Sequence, residues 1–121
     1  MVDAATLRAL VAELPETADE STEDGTLRFV VCGKQFAWTY PERIEEKKPR
    51  VPNPSILVVR CPLDEKEALL TSDAEKYFTV AHYDGYPAVL VRIAAVGKRE
   101  MRELLEEAWR TRAPKRLLRT L

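Results

Sequence analysis

The sequence contains one histidine, His82, two cysteines, Cys32 and Cys61, and four glycines. Each scarcity excludes a class of chemistry. A single imidazole and two isolated thiols leave no HExxH helix and no paired CxxC, so the spacing of a zinc site is absent. The glycines form no GxGxxG and no Walker loop. The Gly33-Lys34 pair lacks the upstream glycine and the following Ser or Thr of a phosphate cradle. Ser21, Ser55 and Ser72 are the only serines, and none sits in a nucleophile-elbow context. No apolar run approaches the roughly 20 residues of a membrane span. The start, Met1-Val2-Asp3-Ala4, has neither the positive charge nor the apolar core of a signal peptide. These absences predict a cytoplasmic protein with reduced thiols, no membrane association, no cofactor and no resident metal.

The 121 residues are enough for one domain with one real core, expected over 1–121. Charged residues make up 32% of the chain, yet they cancel to a net charge of −1 and a pI near 5.9, which opposes a strong charge-driven nucleic-acid binder. The charge is nevertheless uneven. The first 25 residues carry Asp3, Glu13, Glu16, Asp19, Glu20, Glu23 and Asp24 against Arg8 alone, while the C-terminal stretch is rich in Arg and Lys. The two ends could meet and neutralise one another.

The stretch from His82 to Arg116 organises the rest. Asp84-Gly85 signals a tight turn, and Ala88 to Ile93 is a nearly unbroken apolar run with β-branched residues, the mark of a buried strand. From Lys98 the period changes: Met101, Leu104, Leu105, Ala108 and Trp109 fall on one helical face, and Pro114 stops the helix near Arg112. Pro114 can also open a short last helix reaching Leu121. Upstream, Asp3 is a plausible N-cap for a helix carrying Leu7, Leu10, Val11 and Leu14. Residues 16–24 read equally as a loop or as a polar edge strand. Leu27–Val31 and Gln35–Tyr40 form a hairpin, with Gly33 expected as the first central residue of a type II′ turn. In the second strand Phe36, Trp38 and Tyr40 alternate with Gln35, Ala37 and Thr39, so one aromatic face is expected in the core.

Pro41 to Pro54 reads as a long, proline-interrupted loop. Ser55–Arg60 follows as a strand. Asp64 and Glu67 have the spacing of a capping box, with Leu63 stapled onto Ala68 and with Ala68, Leu69 and Leu70 facing inward. Tyr77–Val80 is a short strand. The expected architecture is α+β: an antiparallel sheet of about five strands (27–31, 35–40, 55–60, 77–80, 88–93) with helices 4–14, 64–72 and 98–112 packed on one face. The expected core holds Leu7, Leu10, Phe29, Phe36, Trp38, Leu57, Val89, Val91, Leu104, Leu105 and Trp109.

Several segments together resemble the MmcQ/YjbR-like family: Gly33-Lys34-Gln35-Phe36-Ala37-Trp38, Lys66-Glu67-Ala68-Leu69-Leu70, Tyr77-Phe78, His82-Tyr83-Asp84-Gly85-Tyr86-Pro87, Val89-Leu90-Val91-Arg92, and Glu107-Ala108-Trp109-Arg110 with Ala113-Pro114-Lys115-Arg116. The resemblance spans nearly the whole chain and is most specific over 82–116. It implies a compact α+β domain of the double-wing kind, likened to frataxin, and a DNA-binding role that rests on fold analogy.

His82 reads either as a general base or as a residue that orders its turn, and Cys32 or Cys61 either as its partner nucleophile or as a packed thiol. The carboxylates Glu16, Asp19, Glu20, Glu23 and Asp24 invite a frataxin-like iron comparison, with a solvated acidic face as the plainer reading. Three features favour nucleic acid: the basic loop with Arg43, Lys47, Lys48 and Arg50; the basic tail Arg110 to Arg119, with Arg110, Arg112, Lys115, Arg116 and Arg119, of which Lys115, Arg116 and Arg119 are expected to bind; and the aromatics Trp38, Tyr40, Tyr83 and Tyr86. The sequence thus leads to a non-enzymatic domain that binds DNA weakly and salt-sensitively through those seven basic residues. The alternative is a module for a protein or small-ligand partner.

Overall fold

The computed structural model describes residues 2–120. Its elements are α1 (Ala4–Ala12), β1 (Thr17–Asp19), β2 (Arg28–Val31), β3 (Lys34–Glu42), β4 (Val51–Arg60), α2 (Leu63–Ser72), β5 (Tyr77–Phe78), β6 (Ala88–Arg92), α3 (Lys98–Arg112) and α4 (Lys115–Leu118), with 3₁₀ turns at Ala81–Tyr83 and Ile93–Ala95. The strands form one antiparallel sheet in the order β1-β2-β3-β4-β6-β5. The α+β expectation holds, with β1 as a sixth strand. The polar segment after Pro15 therefore is an edge strand at its start, pairing Thr17 with Val31 and Asp19 with Phe29. The expected final helix is limited to Lys115–Leu118, and Leu121 lies outside the described residues.

Helix α3 follows the sequence periodicity. Met101, Leu105, Ala108 and Trp109 are buried, and Leu104 packs against them partly exposed. They meet Leu7, Leu10 and Val11 of α1 and the sheet residues Phe29, Val31, Phe36, Leu57, Val59, Val89 and Val91. Trp109 is fully buried, and its indole N–H donates to the Pro15 carbonyl at 3.0 Å, tying α3 to the end of α1. Thr39 is a buried polar residue in the sheet, and its hydroxyl accepts the Leu27 N–H at 2.9 Å. Its polar group is thus satisfied where an orphan would be costly.

Four local expectations are corrected. First, β3 is bulged. Phe29 faces Ala37 and Val30 faces Gln35, which leaves Phe36 as an extra residue. The bulge places both Phe36 and Ala37 in the helix-side core and turns Trp38 and Tyr40 to the opposite face, half-buried. Trp38 is therefore not part of the main core. Second, Cys32 (φ 48°) and Gly33 (φ 79°) both have positive φ between the paired residues Val31 and Lys34, the pattern of a type I′ turn. Third, α2 has no capping box. Pro62 occupies the N-cap without a side-chain bond, Leu63 is 52% exposed, Ala68 is exposed, and only Leu69 and Leu70 pack inward.

Fourth, most of the proline-rich loop is strand. β3 runs on to Glu42 and β4 starts at Val51, so the loop is only 43–50. The ribbon tolerates its prolines because it has no other neighbours. β2 pairs with β3 only as far as Trp38, and β6 pairs with β4 only from Ile56. Pro41 and Pro52 face one another, so neither has to supply a ladder N–H.

Trp109→Ala should cost about 3–5 kcal/mol in urea unfolding, because the site is closed and the Pro15 carbonyl is left without its donor. A loss below about 1 kcal/mol would place Trp109 outside the cooperative core.

Candidate functional site

Because strand side chains alternate, the sheet has a second face, and the bulge in β3 makes it aromatic. On that face Val58 and Ile56 of β4, Ala88 and Leu90 of β6, and Trp38 and Tyr40 of β3 pack with Phe78, Val80 and Tyr83. No α-helix contributes to this cluster. Its roof is the turn around Ala81–Tyr83, and Tyr83 is the one side chain of that turn buried in it.

Tyr83 stands at the centre. Its hydroxyl accepts the Trp38 indole N–H at 3.3 Å, and its ring lies 6.3 Å from Tyr40 and 5.7 Å from Tyr86. Burial raises the pKa of its phenol, so the hydroxyl remains protonated. His82 meets the Tyr83 ring edge-on at 5.1 Å and is itself exposed. Tyr86 is 40% exposed. The four aromatics singled out by sequence thus converge on one face.

The turn is held from beneath by the first residue of one of the segments that carry the resemblance. Lys66 is 5% exposed, and its ammonium donates to the carbonyls of Tyr83 at 2.5 Å and Tyr86 at 2.8 Å. Burial lowers its pKa. The sequence signals Lys66 through that segment alone and does not announce its burial, since it is the buried residue of an otherwise exposed or half-exposed α2.

Arginines border the aromatic face. The Arg60 guanidinium lies 5.3 Å from the Tyr86 ring centre and donates to the Tyr86 hydroxyl at 2.9 Å. Arg92 lies 4.1 Å above the Phe78 ring. These are cation–π distances.

The seven basic residues expected to bind nucleic acid are divided between two places. Arg43 donates to the carbonyls of Glu46 and Lys48, and Arg50 to that of Pro41, so both brace the 43–50 loop. Lys48 pairs with Glu45 at 3.3 Å, and Lys47 is exposed. Arg116 makes a two-pronged bond to Glu16 at 2.6 and 3.1 Å, whereas Lys115 and Arg119 are exposed. Arg116 also reaches Cys32, beside the start of β3, while the basic loop follows its end. The two clusters are thus separated by the length of β3, roughly 26 Å at about 3.3 Å per residue.

The ends of the chain do meet. Besides Arg116–Glu16, Arg102 pairs with Glu13 at 3.5 Å, while Arg8 and Asp19, both N-terminal, pair with one another at 3.0 Å. Within the acidic segment Asp19 also accepts from Ser21, and Asp24 accepts from Thr22 and the Thr26 N–H. Among the described residues no group of three His, Cys, Asp or Glu side chains is arranged to hold a metal ion, and no helix is long and apolar enough to cross a membrane. Cys61 is buried, and burial pushes its thiol up to about 11.

Residues 12–111 match the model of the YjbR family. Uncharacterized protein Rv2570 of Mycobacterium tuberculosis is 38% identical over 117 residues, covering 90% of this chain and 87% of the relative. Uncharacterized protein Mb2600 of Mycobacterium bovis has the same identity and coverage. The crystal structure of Deinococcus radiodurans protein DR2400, a DUF419 domain, superposes with a TM-score of 0.66 at 22% identity, covering 90% of this chain and 77% of that one. That likeness shows the shared fold.

Two measurements check the site. Lys66→Met removes both hydrogen bonds to the turn carbonyls and should cost about 1–3 kcal/mol, with faster amide exchange over residues 80–87. Unchanged exchange there would mean the roof does not depend on the ammonium. The second concerns alkaline pH. The Cys61 thiol ionises near 9.0 in the unfolded chain and near about 11 in the folded one, so above pH 9 the unfolded state releases its proton first. Stability should fall between those values by up to about 2 kcal/mol more in wild type than in Cys61→Ala. Parallel urea midpoints across pH 8–11 for the two proteins would remove the assignment.

Proposed function

The chain belongs to the YjbR family, and from that premise we propose that it is a non-catalytic domain that binds nucleic acid in single-stranded form across the helix-free face of its sheet. The observation that carries this reading is the gathering of the part-exposed rings Trp38, Tyr40 and Tyr86 around the buried Tyr83 on one face, bordered by Arg60 and Arg92. Stacking on aromatic rings and attraction of phosphates to nearby cations are the two terms that hold single strands. A duplex hides its bases and has no use for the rings.

The geometry also shifts the weight away from the basic loop. Between Glu42 and Arg50 the four cations Arg43, Lys47, Lys48 and Arg50 are offset by Glu42, Glu45 and Glu46, and Lys48 is already paired. A binding role is favoured over catalysis by the state of the reactive groups. Cys61 is buried and protonated, and His82 contacts an aromatic ring rather than a nucleophile.

The test is a titration of duplex and single-stranded oligonucleotides at several salt concentrations. Single strands should bind more tightly than duplex. Tyr86→Ala should weaken them by about 1–3 kcal/mol while leaving the salt dependence unchanged. Neutralising Lys47, Lys48 and Arg50 together should flatten the salt slope by about 0.7 for each phosphate that is no longer neutralised. No binding at low salt, or equal affinities of wild type and Tyr86→Ala, would overturn the proposal.

A further inference from the structure

One end of the helix-free face opens into a cleft of about 490 Å³, lined by Lys34, Trp38, Arg60, Tyr86 and Arg112 together with the backbone of the β2–β3 turn. Three elements supply its cations: Lys34 begins β3, Arg60 ends β4 and Arg112 ends α3. Among the described residues no carboxylate lines it. By contrast, Arg8, Arg99, Arg102, Arg110 and Arg116 elsewhere on the surface each face an acid.

The guanidinium groups here are also incompletely satisfied. The Nε atoms of Arg60 and Arg112 are shielded from solvent without an acceptor among the described residues. Arg60 is held in place by the Tyr86 hydroxyl, and Arg112 has no hydrogen-bonding partner among the described residues. These N–H groups lack an acceptor among the described residues, and the positive charge they carry favours an anionic one nearby.

We propose that this cleft binds a phosphomonoester carried by a ring-bearing group. Three converging cations match a phosphomonoester, which carries close to two negative charges at neutral pH and offers three acceptor oxygens. A carboxylate has one charge and two oxygens and would leave one cation unanswered. The volume exceeds what a bare phosphate fills, and the remaining space is bordered by Trp38 and Tyr86. The Trp38 N–H is already committed to Tyr83, so this ring offers a surface rather than a donor. A base or other flat ring fits there. The phosphomonoester has two possible sources, the phosphorylated end of a strand and a free mononucleotide. Only the first rests on the function proposed above.

The experiment follows amide shifts and affinity of the whole chain with four probes: inorganic phosphate, a nucleoside 5′-monophosphate, and one oligonucleotide with either a 5′-phosphate or a 5′-hydroxyl. The monophosphate should shift the Gly33, Lys34 and Gln35 amides. Arg112→Gln and Arg60→Gln should each weaken it at least 10-fold, while Arg99→Gln, paired with Glu103 on exposed α3 surface, should bind like wild type. Lys34→Gln, on the exposed turn, provides a variant with little risk to folding and should weaken binding in the same direction. A phosphorylated strand that binds at least 10-fold tighter than its hydroxyl counterpart assigns the strand end. A mononucleotide that binds while neither strand does supports the cleft and removes the nucleic-acid reading. If both strands bind alike and Arg112→Gln and Lys34→Gln change nothing, the cleft proposal falls and the nucleic-acid reading stands. Absence of shifts at residues 33–35 with any phosphate probe overturns it outright.

Discussion

The bulge at Phe36 is the constraint on which both sides of this sheet depend. A regular β3 would project Phe36, Trp38 and Tyr40 from a single face. The extra residue breaks that alternation, so Phe36 and Ala37 fill the helix-side core while Trp38 and Tyr40 serve the other side. Had the strand run regularly, either the main core would lack Phe36 or the second face would lack its aromatics. One inserted residue therefore lets a sheet of this size support a core and an aromatic surface together.

The second face depends in turn on a buried charge. An ammonium beneath the turn is a costly way to join two segments, because burial disfavours the charged form and the nearest acid, Asp84, acts on it only through space. Two carbonyls from a short turn provide what water would otherwise supply. The arrangement is directional in a way that an apolar contact is not: it fixes where Tyr83 and Tyr86 begin, and hence where their rings lie. Tyr83 then links β3 to the turn through Trp38, and Tyr86 fixes Arg60. A chain of polar contacts thus runs from α2 to the arginine that lines the cleft.

Charge is distributed by the same logic of pairing. The acidic N-terminal and basic C-terminal segments neutralise one another where α1, β1, α3 and α4 meet. Such exposed pairs add little to stability. Their consequence is electrostatic: they remove Arg116 from the pool of cations available to a ligand. Within the 43–50 loop, Glu45 does the same for Lys48. At the edge of the aromatic face, Lys34, Arg60 and Arg112 have no acidic neighbour lining the cleft among the described residues.

The fold class was legible in the sequence because it depends on periodicity. The apolar run of β6 and the i, i+3, i+4 repeat of α3 announce a buried strand and a packed helix wherever they occur, and Trp109, Leu105, Val89 and Val91 are buried as expected. The family resemblance was carried by the same regions. The bulge at Phe36 was not legible, since a bulge is a relation between two strands and alternation within one strand looks the same with or without it. The prolines of β4 read as a loop because a strand without outer neighbours is a property of the sheet. Lys66 was named only within a segment that carries the resemblance; its burial was not legible, because only the turn folded against α2 makes its position interior. The four aromatics could be named in advance but not brought together. Arg112, Arg60 and Lys34 lie far apart in the chain and on separate elements, so no local pattern connects them. Local chemistry determined which elements form; the pairing of distant elements decided which faces are aromatic, which charges are neutralised and which remain available.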